Sequence, residues 1–461
     1  MSDVGDLNRR KRERLRRELR ALRTEFAAWL EQRRAKDVCG QHTSQYVALE
    51  DCVTGAARGL EKHLDALRLD QPRGEFAEEC RRHDHRILWL RRLWKYFRDR
   101  LDQRDDPRLA PVLRAADEVV WSAWRPVFER APALGLSVTG GPTPLPFIDL
   151  EYSAAATPRA LVGRELRRDG GPLLSDYLEQ LPMALLHLPI SCVASPWWLV
   201  FIGHEVGHQL QFQLGLVTGF RALLEQAVNV ASETLAIEDA GVAAQRWGGW
   251  SEEVFADVYS VLSFGTAAVR AMVEFEQHSD ARMRVGRERY PPAAVRLHLL
   301  VRVAEVLGLS GARATLDGWE PHRLVAEGDP AAEDYRLVDA VVEASLADLP
   351  GHDVSLKELL GFDAGKSALE WPTVPSPFDL AGPRRMTSAA LAAWERVDAE
   401  EDAEALEALS AAVPQLLGEK RLPGRRSAPR TSDSARVDGD RLSEILLDLD
   451  VEHLEAATGA A

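Results

Sequence analysis

The pattern of apolar and polar positions predicts a chain made mostly of helices. Residues 7–36 place Leu15, Leu19, Leu22, Phe26 and Trp29 at spacings of 4, 3, 4 and 3, one seam of a helix whose other faces are largely arginine. That seam predicts packing on the chain's own domain or pairing with a partner helix. The arginine faces leave an anionic surface, lipid or nucleic acid, as the sharper reading. Residues 45–130 predict several further helices. In 87–101, ILWLRRLWKYFRDRL, aromatic residues and leucines interleave with arginine, which predicts a buried face edged by arginine stems rather than a base-stacking surface.

The texture changes at Gly135. Gly140, Gly141, Pro142 and Pro144 mark a loop, and the runs 145–153 (LPFIDLEYS) and 183–191 (MALLHLPIS) have the length and composition of strands. From 291 to 413 the pattern is helical again, with loops at 318–321 and 369–383. Residues 421–440, rich in Arg, Ser, Pro and Asp, predict a disordered linker. Beyond it Leu442, Ile445, Leu446 and Leu449 predict a short amphipathic helix with an acidic outer face. The expected organisation is a basic helix (1–38), a helical N-terminal domain (39–135), a site-bearing core (136–300), a helical region (301–420), the linker (421–440) and an acidic tail helix (441–461). The fold class is mainly α, with α+β character confined to the core.

Composition narrows the class. The 461 residues carry a formal net charge of −15, which argues against nucleic-acid binding over the whole surface. No run approaches the roughly 18–20 apolar residues of a membrane-spanning helix. The four cysteines, Cys39, Cys52, Cys80 and Cys192, form no C-x-x-C pair and predict reduced thiols; with no signal-peptide core at the start, the expected location is the cytoplasm.

The chemistry concentrates at His204-Glu205-Val206-Gly207-His208, an H-E-x-x-H motif. Two histidines four apart on a helix project from one face, so both imidazoles reach one metal ion, and the glutamate at the edge of that face can take a proton from a water on the metal. The context predicts one buried helix over 196–215, capped by Ser195 and opened by Pro196. Gly203 and Gly207 inside it predict close approach of another backbone or a ligand. A third ligand should lie on a downstream helix. In WSEEVFADVYS (250–260), Glu253 and Asp257 share a face; Glu253 completes a His-His-Glu site with one place open, and Asp257 can accept a hydrogen bond from the outer nitrogen of a ligand histidine. Glu252 is the competing third ligand, and Asp257 itself a more distant one.

H-E-x-x-H followed by E-x-x-A-D resembles the gluzincin metallopeptidases, most closely the branch of CAAX-processing and heat-shock proteases and more loosely thermolysin. The resemblance covers roughly residues 140–300 and lacks that branch's membrane helices. It implies a zincin-like core, one Zn2+ held by His204, His208 and Glu253, Glu205 as general base and Asp257 orienting a ligand histidine. Tyr290-Pro291-Pro292-Ala293-Ala294-Val295-Arg296 resembles an H-P-P-x-x-x-R element of the same branch with Tyr for His. Tyr290 or Arg296 is then expected to stabilise the oxyanion, against the plainer reading of Arg296 as a structural salt bridge.

Other histidines are weaker candidates. His83 and His85 beside Cys80 lack the spacing and fourth ligand of a metal site and predict a solvated face. His187 predicts a structural role, and His278 and His298 are unassigned oxyanion contacts. The expected function is zinc-dependent hydrolysis of a peptide or protein substrate, as an endopeptidase rather than an exopeptidase, with strand 145–153 along the cleft edge pairing with the extended substrate. The alternative is a regulatory or interaction protein whose metal site is structural or held inactive by the flanking helices, with a protein partner reached through the N-terminal or C-terminal helix.

Overall fold

The computed structural model describes residues 2–149 and 183–419, apart from positions 137, 139, 140, 319, 320, 327, 367, 368, 377 and 398–401, and also residues 424, 426, 427, 442–444, 446 and 447. Helices α1 (Ser2–Lys36), α2 (Thr43–Ala66) and α3 (Arg73–Asp102) pack on one another around one apolar cluster. The α1 seam buries Leu15, Leu19, Leu22 and Phe26 as expected, then continues through Leu30 rather than Trp29. A straight helix drifts about 20° per heptad from a 3.5-residue seam, so by its last turn Trp29 and Leu30 flank the buried face about equally, and the core takes Leu30. Trp29 stays half-buried and donates from its indole to Asp102.

The interleaved stretch of α3 is a core face, burying Ile87, Trp89, Leu90, Leu93, Trp94, Phe97 and Leu101. The expected solvated face at 80–85 is corrected. The same helical period turns Cys80 and His83 inward, His83 stands 3.3 Å from His63, and burial lowers its pKa to about 3.

Helix α4 (Ala110–Arg130) packs with the second, larger cluster, which also holds the motif helix. The sequence division at 135 groups α4 with the N-terminal helices, whereas its packing joins it to the site-bearing unit. The seam between the clusters is polar, with buried Asp117 taking Arg104 at 2.6 Å and His42 at 3.1 Å.

Strands β1 (Leu145–Asp149) and β2 (Leu185–Pro189) form a two-stranded parallel sheet, Leu145 opposite Leu185 and Asp149 opposite Pro189. The molecule is therefore mainly helical with one small sheet. Residues 150–153 of the expected first strand lie outside the described residues. The expectation that this strand pairs with a substrate is corrected. On β1 the carboxamide of Gln103 brackets the Ile148 N–H and C=O at 2.8 Å each, and Arg104 donates to Pro146 O at 3.1 Å. The edge facing away from β2 is thus filled by side chains.

The expected single helix over 196–215 is two elements. Pro196–Phe201 is a 3₁₀ helix, Ser195 makes no side-chain cap, and α5 (Ile202–Gln213) comes next. The tighter winding eclipses positions i and i+3, setting the rings of Trp198 and Phe201 in a stack 5.9 Å apart. Trp197 meanwhile stacks on Trp394 at 5.7 Å.

Helices α6 (Val217–Leu235) and α7 (Ala240–Gly249) form a hairpin that returns the chain to α8 (Ser251–Phe264), which lies along α5. The two motif glycines permit that approach. A Cβ on Gly207 would stand 2.8 Å from Ala256 Cα, and one on Gly203 2.6 Å from the Phe264 ring. Helices α9 (Thr266–Phe275), α10 (Ala293–Val306), α11 (Pro330–Leu346), α12 (Gly382–Trp394) and α13 (Ala403–Glu419) complete the larger unit.

The expected disordered linker is also corrected where it is described. Arg426 is buried and grips Glu118 with two hydrogen bonds of 2.7 and 2.8 Å, while its C=O accepts from Thr143 Oγ1 at 3.1 Å. Apolar content, which predicts disorder here, misses a segment held by charge. Leu442 and Leu446 are buried in the α1–α3 cluster; Ile445 and Leu449 of the expected tail helix lie outside the described residues. No described helix is long and apolar enough to cross a membrane.

Candidate metal centre

Helix α5 carries His204 and His208 one turn apart on the face that meets α8, and α8 supplies Glu253 from its first turn. A carboxylate there is favoured by the helix N-terminus. His204, His208 and Glu253 are the one group of three or more metal-type side chains that converges among the described residues, with one ligand atom from each within 4.8 Å of the others. The competing Glu252 is exposed to solvent.

The spacing suits a metal. His204 Nε2 and His208 Nε2 are 3.1 Å apart, and the Glu253 carboxylate oxygens stand 3.2 Å from the first and 3.7 Å from the second. Ligands at 2.0–2.1 Å around a tetrahedral ion are separated by about 3.3 Å. Two imidazole nitrogens facing each other this closely need a cation or a shared proton between them. The donor set, two nitrogens and one carboxylate, is one that zinc takes with a fourth position left over.

Burial and charge set the protonation. Burial disfavours a charged His204, but Asp257 and Glu253 outweigh it and raise its pKa to about 10. His208 is pushed down to about 4, chiefly by burial and with the charge of His204 added. Glu253 is lowered, the two histidines and Arg296 outweighing its burial.

Asp257 lies behind His204, its Oδ1 2.8 Å from Nδ1, a close contact in which the ring N–H is not aimed straight at the oxygen. Despite complete burial, Arg296 and His204 hold Asp257 well below the usual carboxylate range. The outer nitrogen of His208 is buried without a hydrogen-bond partner. Glu205 is buried beside the triad, 1% exposed.

Tyr290 and Arg296 part company. The Tyr290 phenol feels the charges of Glu253 and Glu205; burial and those carboxylates raise its pKa, so it remains a proton donor. Arg296 is engaged with carboxylates. Its guanidinium is 3% exposed and committed to carboxylates: Nε and Nη2 to Asp257 at 2.7 and 2.8 Å, and Nη1 to Glu276 at 2.8 Å. These contacts fit the plainer expected reading of Arg296, a structural salt bridge that holds Asp257, and Nη2 also stands 3.6 Å from Glu253 Oε2.

Glu276, at the end of α9, joins the site without any sequence motif to announce it. A lone glutamate past a helix end carries no signal without its partner. His298 is also removed from the site: it stacks on Tyr335 at 4.0 Å, towards α11. His187 pairs with Asp149 at 3.1 Å inside the sheet, in keeping with a structural role. His278 is half-buried.

Compared with models of protein families, with curated proteins and with solved structures, the chain matches none.

Proposed function

We propose that this protein is a zinc-dependent peptidase with a zincin-like core, in which His204, His208 and Glu253 hold one ion and Glu205 is the general base. The observation that carries the reading is the convergence of two imidazoles and a carboxylate at tetrahedral spacing with a buried glutamate next to them. A divalent ion held by His204, His208 and Glu253 would supply an acidified water, with a pKa towards about 7, and a polarised scissile carbonyl. Glu205 accepts the water proton and passes it to the leaving amine. The Tyr290 phenol donates to the developing oxyanion. Asp257, gripped by Arg296, sets the tautomer and direction of His204.

The test pairs metal analysis with Glu205→Gln. The variant is expected to keep its zinc and lose peptide hydrolysis by on the order of 10²–10⁴-fold. Equal turnover in parent and variant removes the peptidase reading.

One observation favours a second reading, a closed structural zinc site: His204, Glu205, His208 and Glu253 are each less than 10% exposed. On that reading chelation lowers the melting temperature, while Glu205→Gln leaves the metal-loaded protein unchanged in every assay.

A further inference from the structure

A cavity of ≈ 430 Å³ opens between the end of α7, the loop before α10 and the start of α11, with Trp250, three residues before Glu253, in its wall. Its walls include Arg246, Trp250, Arg284, Arg287, Pro292 and Asp334. It is joined to the site by one turn. Arg287 and Tyr290 exchange backbone hydrogen bonds of 2.9 and 3.2 Å, and Trp250 Nε1 donates to Arg287 O at 3.1 Å. Arg287 of this turn borders the cavity, and Tyr290, its ring centre 5.6 Å from the Arg296 guanidinium, faces the site end of it. Gly286 keeps the wall thin, since a Cβ there would stand 3.2 Å from Pro292 and 3.3 Å from Trp250.

The charge of this loop opposes that of the chain. Residues 282–289 hold Arg282, Arg284, Arg287 and Arg289 against the single Glu288, in a protein of net charge −15. Not all the nearby cations are free to act. Arg246 is committed to Asp334 through three contacts of 2.8–3.1 Å. Arg284 has only Asp329 at 3.8 Å among the described residues, and its Nε is buried without a hydrogen-bond partner. Arg287 has no described carboxylate in ion-pair range and lies 5.8 Å from the centre of the Tyr290 ring. Arg284 and Arg287 therefore border the cavity with no hydrogen-bonded carboxylate among the described residues; of the two carboxylates that also line it, Asp334 is neutralised by Arg246, and Glu288 stands against the four arginines of the loop. An apolar wall, Trp250 and Pro292, lies beside them to take a methylene stem.

We propose that this cavity is a specificity subsite for an acidic side chain of the substrate. It takes the carboxylate of a Glu or Asp in the extended polypeptide whose scissile bond lies at the His204 cluster, with Arg284 and Arg287 as the donors. The proposal rests on the peptidase reading for its substrate class, but its test separates the two.

Binding of a short fluorescein-labelled peptide with a central Glu, and of its Gln counterpart, is measured by anisotropy on the zinc-loaded full-length protein, and cleavage is followed separately by mass spectrometry. The Glu peptide is expected to bind roughly tenfold tighter than the Gln peptide. That preference disappears in Arg284→Ala/Arg287→Ala and weakens as salt is raised. Both arginines are at least partly exposed, so the double variant is expected to melt within a few degrees of the parent. Equal affinity for the two peptides, or a preference that survives the double variant, overturns the subsite. Cleavage of both peptides without preference leaves the peptidase and removes the subsite; selective binding without cleavage does the reverse.

Discussion

Two imidazole nitrogens 3.1 Å apart cannot both carry protons, and the charges around them decide which one does. His204 has Asp257 and Glu253 against it and is raised to about 10, while His208 is lowered to about 4. The consequences for stability have opposite signs. A raised histidine stabilises the fold fully below its ordinary value of about 6.5, and that contribution is lost as pH rises towards 10. A lowered histidine penalises the fold as pH falls from about 6.5 towards 4, because the unfolded chain takes the proton first. The depressed Asp257 contributes above about pH 4 and is lost in stronger acid. The metal-free protein is therefore expected to be most stable near pH 6.5. With zinc the ion replaces the His204 proton, so the alkaline fall disappears. Melting temperature against pH, with and without chelator, checks both limbs.

Two substitutions separate the roles at the same scale. Tyr290→Phe removes a donor without emptying the site; kcat is expected to fall by about 10²-fold with KM unchanged, and unchanged turnover excludes the phenol from the chemistry. Asp257→Asn loosens His204 and leaves Arg296 short of a counter-charge. Zinc affinity is expected to drop about 10–100-fold in a chelator competition.

At the scale of elements, the site exists because α5 and α8 touch through glycine. Gly207→Ala would set a methyl 2.8 Å from the Ala256 backbone, only three residues from Glu253 on α8. Alanine gains about 1 kcal/mol in helix propensity, but overpacking costs about 1–3 kcal/mol, and backbone cannot rotate aside. The helices must separate, carrying Glu253 away from the histidines. Weaker zinc binding is expected for Gly207→Ala than for Gly203→Ala, whose neighbour is the Phe264 ring, measured alongside thermal melting. These glycines also explain what was legible in the sequence. The i, i+4 histidines, their tight packing and the Glu253–Asp257 face follow from helical periodicity, which is local. The 3₁₀ start at Pro196–Phe201 depends on where Trp394 lies, and Glu276 matters only because Arg296 reaches it. The inward turn of His83 was readable from the period of Phe76, Cys80, Ile87 and Leu90, and the polar string RRHDHR concealed it.

For the whole molecule, the C-terminal segment decides between two architectures. A tail lying over the metal centre would gate it; a tail lying elsewhere would fasten the molecule together. The described tail residues lie elsewhere. Arg426 bridges α4 through Glu118, its backbone joins Thr143 near β1, and Leu442 and Leu446 fill the α1–α3 cluster. The tail thus ties the N-terminal helices to the unit that bears the site. Charge at Glu118 makes the tie costly to cut: Arg426→Ala takes a guanidinium that makes two hydrogen bonds from a buried carboxylate, and is expected to cost about 3–5 kcal/mol. Truncation after residue 422 removes that pair and also uncovers the groove occupied by Leu442 and Leu446. The truncated chain is expected to melt lower than the point variant, to bind a hydrophobic dye, and to keep the parent's zinc affinity, because no described tail residue touches His204, His208 or Glu253. Faster peptide cleavage after truncation, with zinc affinity unchanged, would instead assign the tail to gating and contradict the fastening role.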